Sequence, residues 1–142
     1  MEIRTETEIN APAELVWGIL SDLESYPAWN PFTYRTLGEL KLNAELKFNV
    51  RFPDQSEVVS RHFVCVIDAL RELSWRNTNI PLLLWSERRQ LIEKLDEKRV
   101  RLVNREFAWG PLSPLVAWLY GKRIEGGLRA CAEAVKKRAE GR

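Results

Sequence analysis

From Glu45 to Trp109 the chain alternates between apolar and polar side chains, and this alternation limits its possible folds more than any other feature. In AELKFNVRF, Leu46, Phe48, Val50 and Phe52 fall on one side, and Glu45, Lys47, Asn49 and Arg51 on the other. Successive side chains of a strand point to opposite faces, so this segment is a strand with one dry face and one wet face. VVSRHFVCVIDAL, LSWRNTNI, LLLWSERRQLIEKL and RVRLVNREFAW follow, with breaks as short as PDQS and DEK. Breaks that short can join only antiparallel neighbours, since a parallel return needs a dozen residues or more. The expectation is an antiparallel meander of hairpins with one apolar face.

That face needs a cover, and the two ends of the chain supply it. Residues 2–10, EIRTETEIN, alternate Ile3, Thr5, Thr7 and Ile9 against Glu2, Arg4, Glu6 and Glu8, which is one more half-buried strand. Pro12 stands where a helix can start, Glu14 suits its positive end, and Leu15, Val16, Ile19, Leu20 and Leu23 form its stripe. SYPAWNPF, with two prolines, allows only a turn or a short helix. Beyond Gly110 and Pro111 the spacing becomes helical, through Leu115, Trp118 and Leu119 to Ile124, Leu128, Cys131 and Val135. Gly121, Gly126 and Gly127 weaken that helix and predict a bend. The fold class expected is therefore α+β: a curved antiparallel sheet of six to seven strands around a long C-terminal helix, with one or two short helices after the first strand. One helix is narrow beside such a sheet, so a cavity between them is expected. No linker or repeat divides the 142 residues, which read as a single domain, 1–142.

Composition narrows the chemistry. There are six Trp but one His and two Cys, and the net charge is +2. Cys65 in FVCVI and Cys131 in LRACAEAV read as small buried hydrophobes. His62 lies three residues from Cys65, on the opposite strand face, so they do not form a nucleophile–base pair. Three scattered His and Cys residues do not make a zinc site, and no phosphate-binding glycine loop or GxSxG motif occurs. No metal and no cofactor are expected. Basic residues outnumber acids by four over 88–105 and again over 122–142, but the two signs interleave. A solvated face explains this better than nucleic-acid binding, and no nucleic-acid partner is expected. With no apolar run long enough to span a bilayer and no leader-like N-terminus, a cytoplasmic protein is expected, with room for transient membrane contact.

The opening block resembles the START-like, or SRPBCC, superfamily, and within it the polyketide cyclase/dehydrase-like branch. The residues carrying the resemblance are Ile9, Ala11 and Pro12; Val16 and Trp17; Leu20 and Asp22; and Trp29, Asn30 and Pro31. A looser match is the last strand, with Glu106, Phe107, Trp109 and Gly110, followed by the basic, Ala-rich tail AEAVKKRAE. The resemblance implies a helix-grip fold with a deep apolar pocket, in which relatives bind lipids, sterols or polyketides and some catalyse cyclisation. One departure concerns the long penultimate strand. Where many relatives carry a Gly-x-His-x-Phe-type stretch, Ser86, Arg88 and Gln90 stand here.

Candidate site residues follow from the faces of these elements. Arg88 and Gln90 share a face with Ser86 and Ile92, and Trp85 lies on the other. Neither face is cleanly apolar, so Arg88 faces solvent and Trp85 the core, or, in the register the resemblance implies, Arg88 points inward. An inward Arg88 must be paired, and Glu106, on the face of Val100, Leu102, Asn104 and Ala108, is its natural partner. This pair is structural, or it orients a ligand, and Arg88 and Glu106 are the candidate catalytic residues. The candidate ligand-binding set adds Phe48, Val50, Phe63, Trp75, Asn77, Gln90, Asn104, Trp109, Leu115, Trp118 and Leu119, with Tyr34 and Asn79 as weaker candidates. His62 is read as a surface or supporting residue. The expected function is binding of a hydrophobic or amphipathic small molecule, such as a lipid or polyketide. The alternative is a polyketide cyclase or aromatase using the same pocket.

Overall fold

In the computed structural model, which describes residues 1–141, the chain begins with β1 (Glu2–Ile9), α1 (Ala13–Ser21), a 3₁₀ turn (Leu23–Ser25) and α2 (Tyr26–Trp29). It continues through β2 (Thr33–Leu37), β3 (Glu45–Arg51), β4 (Glu57–Asp68), β5 (Glu72–Ile80), β6 (Leu84–Asp96) and β7 (Arg99–Trp109), and ends in α3 (Ser113–Ala139). Arg142, the last residue of the expected domain, lies outside the described residues.

The strands form one antiparallel sheet in the order β1-β7-β6-β5-β4-β3-β2, so the N-terminal strand returns to pair with the last. Short breaks produced the hairpins, as the alternation required. Register irregularities at Thr33/Arg35, Val64/Val66, Thr78/Ile80 and Lys94/Asp96 add local twist, and the sheet curls toward α3. Its inner face carries Leu46, Phe48, Leu73, Trp75 and Leu102, all buried. Its outer face carries ion pairs such as Arg105 with Glu2, and Arg101 with Glu93 at 3.2 Å. A curled antiparallel sheet around a long C-terminal helix is the helix-grip architecture implied by the resemblance.

The block that carried the resemblance holds the first helices to the sheet. Val16 and Leu20 are buried, while Trp17 and Trp29 pack half-buried against the core. Asn30 closes the turn after α2, its Oδ1 accepting the N–H groups of Phe32 and Thr33, both at 3.0 Å. Two main-chain donors that would otherwise be buried unpaired are thereby satisfied, and Phe32 is set against α3.

The glycines do not break α3: the helix runs without interruption from Ser113 to Ala139. Gly127 serves packing instead, because a Cβ there would overlap the Phe32 ring. Leu128, Ala132, Val135 and Ala139 continue the buried stripe, with β1 and β7 among the strands they cover.

Candidate functional site

The sheet register places the polar side chains. Trp75, Arg88, Glu106 and Ile3 stand opposite one another across β5, β6, β7 and β1, forming one row of the inner face. Arg88 points inward and Trp85 outward, which settles the two registers left open above. Arg88 and Glu106 side chains are only 11% and 9% exposed, and Arg88 Nε donates to Glu106 Oε2 at 2.8 Å. Arg88 Nη1 reaches Thr33 Oγ1 at 3.4 Å, and the guanidinium lies 4.9 Å from the centre of the Phe32 ring. A carboxylate, a hydroxyl and an aromatic face together compensate a charge that would otherwise be too costly to bury.

This pair forms part of the wall of a cavity of about 130 Å³ between the sheet and α3. Phe32, Val50, Phe52, Val116 and Ile124 make its apolar lining, and Ser60, His62, Ser86, Arg88 and Glu106 its polar side. His62 is buried, which corrects its reading as a surface residue. Burial, reinforced by the positive charge of Arg88, pushes its imidazole pKa down to about 3, so it is neutral at physiological pH. Asn77 Nδ2 donates to Ser60 Oγ at 3.4 Å, and Ser60 Oγ lies 3.2 Å from His62 Nδ1. With Asn77 donating to it, Ser60 Oγ is free to turn its own proton toward Nδ1, and the tautomer compatible with that bond carries the imidazole N–H on Nε2.

The remaining candidates divide by face. Val50 lines the cavity, and Asn79 stands near its rim, accepting from Ser86 Oγ at 2.9 Å. Phe48 and Trp75 lie behind His62, with Phe48 ring-centre separations of 5.0 Å to His62 and 4.8 Å to Trp75. Gln90 and Asn104 are buried one row beyond Arg88 and Glu106, opposite each other in the ladder. Asn77 joins the polar side through Ser60.

Five of the expected ligand-binding residues do not line this cavity. Phe63 and Trp109 project from the outer face, because their positions alternate with those of His62 and Ala108. Together with Arg76 and Trp85 they border a separate outer depression of about 650 Å³. That depression is the larger, but the interior cavity holds the buried ion pair and is the better candidate site. Leu115, Trp118 and Leu119 face outward from α3, and Val116 and Ile124, eight residues apart on one helix side, line the cavity in their place. Tyr34 is engaged elsewhere, with Arg51 lying 4.5 Å from its ring centre.

The two thiols are only half-buried, less than expected. Burial raises the Cys131 pKa to about 11, and burial together with Glu87 raises that of Cys65, so both are thiols at neutral pH.

Comparison with known proteins adds an independent finding. A family model described as "Polyketide cyclase / dehydrase and lipid transport" matches residues 1–140. Oxopyrrolidines biosynthesis cluster protein O of Penicillium oxalicum is 26% identical, over 96% of this chain and 85% of the fungal protein. A solved START superfamily protein from Mycobacterium smegmatis superimposes with a TM-score of 0.74 at 23% identity, covering 99% of this chain and 97% of that one. The Zhui aromatase/cyclase of a Streptomyces species gives 0.75 at 19% identity, covering 99% of this chain and 93% of that one. At such identities the solved structures speak to fold. No helix among the described residues is long and apolar enough to cross a membrane.

Proposed function

Because the chain belongs to the polyketide cyclase / dehydrase and lipid transport family, we propose that its interior cavity holds a hydrophobic or amphipathic small molecule between the sheet and α3. The observation that carries this reading is the cavity itself, about 130 Å³ of largely apolar space ending on a buried ion pair. Open at its mouth and polar on one side, such a space holds water, and a molecule that displaces this water gains about 25 cal/mol for each Å² of apolar surface it buries.

Size and polarity describe the molecule. A cavity of about 150 Å³ takes one benzene-sized ring, so the space here suits a single ring or a chain end, with anything larger extending through the mouth. Arg88 spends one N–H on Glu106 and one on Thr33, leaving guanidinium donors for an oxygen of the ligand. His62 Nε2–H is a second donor on the same side. A phenol, enol or carboxylate at the buried end matches these donors, and the apolar lining matches the rest.

Native mass spectrometry of the purified protein tests the reading, with a titration against small phenols and fatty acids. A retained or titratable molecule, lost in Arg88→Met, is the expected result. A protein that carries nothing and takes up no member of either class would overturn it.

A second reading, cyclisation of a polyketone, draws on the carboxylate in the cavity wall. With the guanidinium and the imidazole N–H polarising a carbonyl oxygen, Glu106 is the group able to accept the adjacent carbon-bound proton. Supplied with an aromatising poly-β-ketone, Glu106→Gln is expected to lose turnover and keep binding. Unchanged turnover would sink Glu106 as the base.

A further inference from the structure

The cavity lies toward one end of the sheet, where the β5–β6 turn meets the start of α3. Leu112 N–H donates to the Leu83 carbonyl at 3.1 Å, and a Cβ on Gly110 would overlap that same carbonyl, so turn and helix are locked together. Outward from this joint the side chains are apolar. Leu82 and Trp118 are each 80% exposed, and Ile80, Leu83, Leu115 and Leu119 lie between 42% and 49%. The core does not need them, because α3 reaches inward through Val116, Ile124 and Leu128. Exposed apolar groups gathered in this way mark a surface that meets something apolar.

Charge distinguishes what that is. Residues 77–86 carry no charged side chain, and neither do residues 108–121. The first charges on α3 are Lys122 and Arg123; Arg123 pairs with Asp54 at 3.1 Å, while Lys122 has no ion pair among the described residues. The patch is thus an apolar tip with Trp118 and Tyr120 near its edge and a free cation one turn beyond. Two protruding segments with few polar groups make a poor match for a protein surface, which needs complementary shape and a polar rim. A bilayer asks only for apolar depth, aromatic rings at headgroup level and a basic edge. The geometry points to this end of the molecule as a docking surface for anionic phospholipid bilayers, with Trp118 and Leu82 entering the headgroup–acyl boundary and Lys122 meeting the phosphates. The inference rests on the surface and is independent of what the cavity holds.

Co-sedimentation tests it with vesicles of phosphatidylcholine, with and without phosphatidylglycerol. The protein is expected to pellet with the anionic vesicles and less with the neutral ones. The double variant Trp118→Ser, Leu82→Ser should partition about tenfold more weakly, from lost apolar insertion, and Lys122→Glu should lower pelleting on anionic vesicles alone. Leu42→Ser removes a leucine 58% exposed in the β2–β3 turn, which the hairpin alternation places at the other end of the sheet, and should pellet like the wild type. All four positions are exposed, so far-ultraviolet circular dichroism and the melting temperature should stay close to those of the wild type. Wild-type protein left in the supernatant, or a double variant that pellets undiminished, overturns the inference. So does a dimer in size exclusion that dissociates with Trp118→Ser while vesicle binding is absent, since the patch would then join two copies. Native mass spectrometry of the double variant keeps the questions apart, because a retained cavity ligand shows that only docking was lost.

Discussion

Arg88 and Glu106 depend on each other for their place in the interior. Removing one partner leaves the other as a buried, uncompensated charge, so Glu106→Ala should destabilise the fold by about 3–5 kcal/mol. Replacing both, Arg88→Met with Glu106→Leu, should recover most of that loss, because an apolar pair needs no solvation. Urea denaturation of the three proteins decides this, and a double variant as unstable as the single would refute it. His62 adds a pH dependence. Its folded pKa is about 3 against an ordinary 6.5, so between these values the unfolded chain binds the extra proton and stability falls as pH falls. The slope contributed is up to about 1.4 kcal/mol per pH unit across that window. His62→Phe should flatten the stability profile between pH 6 and 4 relative to wild type, and superimposable profiles would contradict the assignment. The pairing of Arg88 with Glu106 could be read from the sequence once a register was assumed, since both stand on the less charged face of their strands. The interior place of His62 could not, because both faces of β4 carry apolar residues there, Val64 and Val66 beside His62 and Phe63, Cys65 and Ile67 opposite, so the alternation names no dry side.

At the level of helices and strands, legibility followed from how strongly each pattern was stated. The strict alternation of β3 and β7 determined which side chains point inward, and Leu46, Phe48, Val50, Val100, Leu102, Asn104, Glu106 and Ala108 are buried as it requires, while Trp109, expected at the pocket against that alternation, faces outward. The first two turns of α3 failed for the opposite reason. Leu112, Leu115, Val116, Trp118 and Leu119 are apolar on every side of the helix, so periodicity has no polar face against which to define a stripe. Glycine misled as well, because helix propensity speaks only to the isolated helix. Gly127 stands where α3 presses on Phe32, whereas a Cβ on Gly121 meets nothing within 4 Å. The same substitution should therefore act with opposite sign six residues apart. Gly121→Ala should stabilise by up to about 1 kcal/mol through propensity. Gly127→Ala should destabilise by about 1–3 kcal/mol, as overpacking outweighs that gain. Thermal melts of the two variants check this, and equal shifts would show that contact with Phe32 does not limit α3.

The molecule as a whole combines a rigid sheet with a helix that covers it incompletely, and the cavity is what that mismatch leaves. Val116 tests whether the space is functional, because it sits on α3 at the cavity wall and belongs to neither the ion pair nor the exposed tip. Val116→Phe pushes a ring into the cavity. If the space is only a packing defect, filling it should raise stability and change nothing else, since the lining regains contacts it lacked. If the space is a binding site, the same variant should stay folded, and a ligand that stabilises the wild type should no longer do so. A ligand at about one hundred times its Kd adds some 2.7 kcal/mol to the wild type, a shift of several degrees in Tm for a chain of this size. The expected outcome is a Val116→Phe protein at least as stable as the unliganded wild type, with its ligand-induced shift abolished. A shift that survives the filled cavity would place the ligand elsewhere, and the outer depression bordered by Phe63, Trp85 and Trp109 would become the site to probe next.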